Sequence, residues 1–352
     1  MAGVRTLLVS DLHLGQRPGH DVLRRPAVLE RLLAALDGVD RLVLLGDVVE
    51  FALRRHSRDP LRIATPVLRA LGAGMGASRE IVVVPGNHDA VMVHRWAVQR
   101  GPELGVCDEV PRDATPMLAA VTERLAPATI RVSYPGFWVR EDVWATHGHY
   151  IDRHLIPEST FGLPRGRLAR GGPPKRRAHA IDYEIARRGG SQGLLGEILD
   201  RPVAVVLEHL AELTRYGTRL LRTIDLTTIT TRALDLQVRR AAVPAMVETA
   251  ARLGVDARAV IFGHVHRAGP RDEPPARLRR RPDWAPAQDG PHVFNTGSWV
   301  YEPVLLDGST PPHPYWPGGA VLVEDDAEPR VLGLLDDLGA DELRGFRRPE
   351  GR

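Results

Sequence analysis

The chain has 352 residues and a hydrophobic fraction of 43%, enough for one large domain or a domain carrying a substantial insertion. A net charge of only +3, despite a pI near 9.3, argues against a dedicated nucleic-acid coat. The single cysteine, Cys107, excludes an intrachain disulfide and a thiolate metal cluster, which suits a reducing compartment. The first residues lack a secretory pattern, and no apolar run approaches the roughly 20 residues of a membrane span, so a cytoplasmic protein is expected. Lys175 is the only lysine; nearly all basic charge is arginine, which grips phosphate bidentately but here reads mostly as codon bias.

In chain order, Val4–Val9, Arg41–Leu45 and Glu80–Val84 are continuous apolar runs, the pattern of strands buried on both faces. Between the first two, Val28, Leu29, Leu32, Leu33 and Leu36 share one helical face. Strands alternating with helices predict an α/β layered core. Further strands are predicted at Thr129–Tyr134, Asp142–Thr146, Ala259–Phe262, His292–Asn295, Ala320–Val323 and Arg330–Leu335.

Residues 152–253 interrupt this rhythm. Leu163–Gly190 is rich in Arg, Gly and Pro and reads as loop, whereas Pro202–Leu221 and Val243–Leu253 carry helical spacing. The expected organisation is a core of residues 1–151 and 254–352, with 152–253 as a mostly helical insertion or cap. Pro270–Pro291 reads as a surface loop, and the chain after Leu338 as polar and loosely held.

Five segments place hard oxygen or imidazole donors directly after strand-like runs. They are Ser10-Asp11-Leu12-His13, Gly46-Asp47-Val48-Val49-Glu50, Gly86-Asn87-His88-Asp89, Thr146-His147-Gly148-His149 and Gly263-His264-Val265-His266. Sites in layered α/β folds form at the carboxyl ends of strands, so these segments can converge. Asp, Asn and His without Cys suit Mn, Fe, Zn or Ni rather than Ca or an iron–sulfur cluster. Singly, each residue has a plain explanation, such as a helix cap, a turn or a satisfied polar group. Five together make those explanations improbable.

In order, the segments resemble the calcineurin-like metallophosphoesterase signature: D-x-H, G-D-x-x-D/E, G-N-H-D/E, H, then G-H-x-H. The resemblance implies a two-sheet β-sandwich flanked by helices, and two divalent metal ions, Mn first, with Fe, Zn, Ni or Mg as alternatives. It gives one ion to Asp11, His13 and His266 and the other to Asn87, His147 and His264, with Asp47 bridging. A shared hydroxide is then expected to attack phosphorus in line. His88 is the expected acid at the leaving oxygen, with Asp89 orienting its imidazole. Glu50 is expected to support the site through hydrogen bonds. Arg54, Arg55, Arg95 and His149 are weaker candidates for substrate contact.

Ser10–Gly15, Gly46–Phe51 and Asn295–Trp299 are similar to the branch containing UDP-2,3-diacylglucosamine pyrophosphatases, although His-Gly-His at 147–149 departs from its His-Gly-Asp. The expected activity is hydrolysis of a phosphodiester, pyrophosphate or phosphomonoester bond in a small or lipid-linked nucleotide-type substrate. A nuclease using the basic Leu163–Arg188 region is the alternative; that region lacks interleaved aromatics for base stacking. A non-catalytic interaction module fits least, because every motif is intact. Peripheral membrane contact and oligomeric state are left open.

Overall fold

The computed structural model describes residues 3–16, 20–52, 59–154, 177–189, 241–271, 284, 290–306 and 308–344. Two mixed sheets face each other. The first contains β1 (Thr6–Val9), β2 (Arg41–Leu44), β3 (Glu80–Val83), β4 (Asp108–Glu109), β5 (Thr129–Tyr134), β10 (Gly319–Val323) and β11 (Arg330–Gly333), in the order β11-β10-β1-β2-β3-β5-β4. The second runs β6-β7-β8-β9, from β6 (Gly136–Arg140), β7 (Val143–Thr146), β8 (Ala259–Phe262) and β9 (His292–Asn295).

The continuous apolar strands follow from this sandwich. Leu8, Val43 and Val82 point inward to meet Phe137, Ala145 and Ile261 of the opposite sheet. Their neighbours Leu7, Leu42 and Ile81 point outward into a separate core. Both faces of each strand are thus dry, so no polar alternation survives in the sequence. Helices cover the outer face: α1 (Pro26–Ala34), α2 (Pro60–Met75), α3 (His94–Arg100) and α4 (Pro116–Glu123). Asp59 caps α2 by accepting from Arg62 N at 3.0 Å, and Thr115 caps α4 by accepting from Leu118 N at 3.1 Å. In both, proline occupies the first turn, where no N–H is needed.

Parallel register aligns the strand ends that carry the motifs. Val9 pairs with Leu44, Leu44 with Val83, and Thr146 with Phe262. The chain therefore leaves β1, β2, β3, β7 and β8 at one edge of the sandwich.

Three expectations need correction. Leu163–Gly190 is not loop throughout, because Ala180–Gly189 forms α5, with Ala180, Tyr183 and Glu184 buried. The segment after Leu338 is not uniformly loose: Ala340–Arg344 is helical and buries Leu343. In Pro270–Pro291, Trp284 is buried, with the Arg267 guanidinium 5.0 Å over its ring. Residues 241–253 are helical, as the spacing of Val243–Leu253 predicts. The predicted helix Pro202–Leu221 lies outside the described residues.

Candidate metal centre

The five motif segments do converge, and the backbone bends to bring them together. Asp11, His13, Asp47, His264 and His266 all sit at positive φ, between 44° and 67°. That region is unfavourable for side chains with a Cβ, and several such residues in one place mark a site whose geometry is over-determined by its surroundings. Here the surroundings are backbone hydrogen bonds between the turns: Asp11 N donates to Gly46 O at 3.0 Å, and His13 N to Asp47 O at 2.8 Å. Two motif glycines allow the close approach. A Cβ at Gly86 would collide with the Asp47 carboxylate and the His147 ring, and one at Gly263 with the Ser10 hydroxyl and the Asp11 carboxylate.

The donor atoms fall into overlapping groups. Asp11, His13 and His266 form one, Asp47, His147 and His264 another, and His13, Asp47 and His88 a third lying between them. Asp11 Oδ1 is 3.2 Å from His266 Nε2 and 3.8 Å from His13 Nε2. Asp47 Oδ2 is 3.2 Å from His147 Nε2 and 3.8 Å from His13 Nε2, so it faces both outer groups. Asn87 Oδ1 lies 3.0 Å from His147 Nε2, which places it with the second group. Most of these side chains are buried; Asn87 and His266 are partly open to solvent.

These residues fit a pair of cations on two observations. Among the described residues, no donor hydrogen-bonds the buried Asp11 Oδ1, while Oδ2 of the same carboxylate accepts from His264 N at 2.9 Å and from Ser10 Oγ. One oxygen is fastened and the other is left facing imidazole nitrogens. The electrostatics agree. Burial alone would raise the Asp11 carboxyl, but the imidazoles of His266 and His147 hold it at about 2. Burial opposes ionisation of Asp47 too, yet His147 and His88 keep it well below the usual carboxylate range. Against the same desolvation, Asp47 pushes His147 up to about 10, and Asp47 with Glu50 pushes His88 up to about 9. The buried carboxylates demand positive charge, which protons on the imidazoles or divalent ions can meet.

A family model described as calcineurin-like phosphoesterase matches residues 4–268. The chain belongs to the calcineurin-like phosphoesterase family. Membership makes it a metal-dependent hydrolase of phosphate esters, with two divalent ions. A crystal structure of a dimetal phosphatase from Danio rerio is similar at a TM-score of 0.36 and 13% identity, covering 95% of this chain and 100% of that one. So remote a likeness says nothing about activity. No curated protein matches the chain. Among the described residues, no helix is long and apolar enough to cross a membrane.

Within this phosphoesterase, the residue holding His88 is not the one expected. Asp89 does not orient the imidazole: its two oxygens accept from Val48 N at 2.8 Å and Gly86 N at 2.5 Å, stapling the β2 and β3 turns together. Burial, with Asp47 nearby, raises its carboxyl to about 7. Glu50 receives His88 Nδ1 instead, at 2.8 and 2.9 Å, and also His13 Nδ1 at 3.0 Å. Despite burial, those two imidazoles lower its carboxyl strongly.

The weaker candidates fare differently. Arg54 and Arg55 lie outside the described residues. Arg95 is exposed on α3. His149 is buried and turns away from solvent toward Glu184 of α5, with Nε2 3.8 Å from its carboxylate and 3.5 Å from Tyr134 Oη. Glu184 also accepts from Tyr134 Oη and, at 2.8 Å, from Tyr150 Oη.

Three supports lie outside the five ligand motifs, in the Asn295–Trp299 segment. Asn295 Nδ2 donates to Gly263 O at 2.6 Å, Thr296 Oγ1 meets Ser10 Oγ at 2.5 Å, and Trp299 N donates to Asp11 O at 3.0 Å. The Asn295–Trp299 segment thus braces the first and last motifs from behind. Asp152 Oδ1 lies 2.8 Å from His264 Nε2.

Proposed function

We propose that this phosphoesterase holds one divalent ion between Asp11, His13 and His266 and a second between Asn87, His147 and His264, with Asp47 shared. It hydrolyses a small phosphodiester, pyrophosphate or phosphomonoester substrate of nucleotide type. The observation that carries the reading is the grouping of Asp11–His13–His266 beside Asp47–His147–His264, both approached by Asp47 or His13. Mn is the first-choice ion, given the all-nitrogen-and-oxygen donor set.

When bound, the two ions supply a water of lowered pKa and neutralise charge on phosphate oxygens. The chain's own residues supply the rest. His88, buried and anchored through Nδ1 on Glu50, is the residue that donates a proton to the leaving oxygen. Glu50 fixes both His88 and His13, so one carboxylate sets the position of the acid relative to a metal ligand. Asp89 keeps the Gly86–His88 turn closed against Val48.

The finer reading is a pyrophosphate bond in a sugar-nucleotide-like or lipid-linked substrate, reached in the cytoplasm. It is supported by the sequence likeness at Ser10–Gly15, Gly46–Phe51 and Asn295–Trp299, while His149 departs from that branch. The 152–253 segment is proposed as the cap that selects the substrate. A hydrolysis screen with Mn over nucleotides, nucleotide-sugars, lipid-linked pyrophosphates and single-stranded DNA tests this. Mn-dependent turnover of a small pyrophosphate or diester, abolished by Asp47→Asn, is expected. Turnover that survives Asp47→Asn, or cleavage of DNA alone with steep salt dependence, would contradict it.

A further inference from the structure

We propose that Asp152 is a positioning residue for the second ion: it accepts a hydrogen bond from His264 Nε2 and so commits Nδ1 of that ring to the metal. The inference rests on the reading of His264 as a ligand and extends it beyond the five motifs.

Two other ligand histidines, His13 and His147, are each held through their second ring nitrogen. A metal-binding imidazole is fixed in rotation and tautomer when its second nitrogen donates to an acceptor. His13 offers Nδ1 to Glu50 Oε2 at 3.0 Å and turns Nε2 toward Asp11 and Asp47. His147 offers Nδ1 to Leu45 O at 3.0 Å and turns Nε2 toward Asp47 at 3.2 Å. In both, one nitrogen is tied and the other faces the cluster. His264 repeats the arrangement with its nitrogens exchanged: Nε2 is 2.8 Å from Asp152 Oδ1, which leaves Nδ1 for the ion. His264 N meanwhile donates to Asp11 Oδ2, so the backbone of the residue is fastened as well.

Asp152 is well placed for this. It follows the short helical turn His149–Ile151, five residues beyond His147, and the His147 and His264 rings lie 5.3 Å apart. One stretch of chain therefore delivers a ligand and clamps its neighbour. Asp152 is one-third exposed, whereas Glu50 is fully buried, so its hold is the weaker of the two.

Calorimetric titration of the ion-free full chain with Mn tests the assignment. Asp152→Ala should still bind two ions at saturation, with one of the two affinities lowered by on the order of 10–100-fold. Asp152→Asn, whose Oδ1 still accepts from Nε2–H, should recover most of that loss. Unchanged affinities in Asp152→Ala would overturn the proposal. So would a fall to one ion, because Asp152 would then be a ligand itself. His264→Ala separates the two readings. If it still binds two ions, the ligand role of His264 fails. If it loses one while Asp152→Ala binds like wild type, only the positioning role fails.

Discussion

Two buried acidic clusters meet at His147–His149, whose rings are 5.7 Å apart, and they are built in opposite ways. On one side, Asp11 and Asp47 stand at positive φ on turns and face imidazole nitrogens at 3.2–3.8 Å, and no donor among the described residues hydrogen-bonds Asp11 Oδ1. On the other, Glu184 sits on a regular helix and accepts from the hydroxyls of Tyr134 and Tyr150. Both bury carboxylates, which costs several kcal/mol unless the charge is met. Around Glu184 the tyrosines supply fixed O–H donors, with His94 Nδ1 and His149 Nε2 standing 3.5 and 3.8 Å from the carboxylate, and the cluster anchors α5 to the core. In the histidine cluster, fixed donors hold one oxygen of each carboxylate: His264 N and Ser10 Oγ on Asp11, and His88 N on Asp47. The oxygens that face the imidazoles need positive charge, which protons or divalent ions can supply. A buried carboxylate that turns an oxygen toward imidazoles from strained turns therefore marks an ion site, and one fixed by tyrosine hydroxyls on a regular helix marks an anchor.

That contrast can be broken at several points. The largest effect is expected for His88→Ala, which should lower kcat by roughly 10²–10⁴-fold, the range for a general acid, while two Mn ions still bind. Loss of an ion along with activity would make His88 a ligand instead. Glu184→Ala should act on stability alone. It takes the carboxylate from two buried tyrosine hydroxyls, at about 1–3 kcal/mol for each hydroxyl left unsatisfied, measured by denaturant unfolding. Unchanged Mn affinity in that variant separates anchor from ion site; a lowered one would merge them. Removing both ions with a chelator should destabilise the wild type by about 5 kcal/mol relative to protein in Mn at 100 times Kd, about 2.7 for each ion, and Glu184→Ala by the same amount.

The smallest effect concerns Asp21, a buried carboxylate outside the histidine groups found among the described residues. Burial raises it to about 6, against the lowering seen at Asp11. A raised carboxyl favours folding when protonated, so its cost appears as pH rises from about 4 to about 6. Asp21→Asn should stabilise the protein by at most about 3 kcal/mol above pH 6 and by nothing below pH 4, read from pH-dependent unfolding. A stability difference constant across that range would contradict the sign.

How much of this was legible follows from physical distance along the chain. Strands buried on both faces announce themselves as unbroken apolar runs, so β1, β2 and β3 could be read directly. Gly136–Arg140 was not, because Trp138 and Arg140 are half-exposed and interrupt the run. Helix α2 also went unread, although Asp59-Pro60 states its start. The motif residues were legible because each pair or triplet is contiguous. Their supports are not contiguous with what they hold: Asp152 is 112 residues from His264, and Ser10 is 286 from Thr296. Adjacency also misled. Asp89 follows His88 in sequence, yet within so tight a turn its side chain leaves toward the backbone of Val48, and Glu50, 38 positions away, reaches the imidazole.

The central claim is that Asp47 joins two ion sites into one. Electron paramagnetic resonance of the protein loaded with two equivalents of Mn tests it most directly, compared with Asp47→Asn. The wild type should give the spectrum of an exchange-coupled Mn pair, and Asp47→Asn should lose either the coupling or one of the ions. Uncoupled Mn in the wild type, or a coupled spectrum that Asp47→Asn leaves unchanged, would contradict it.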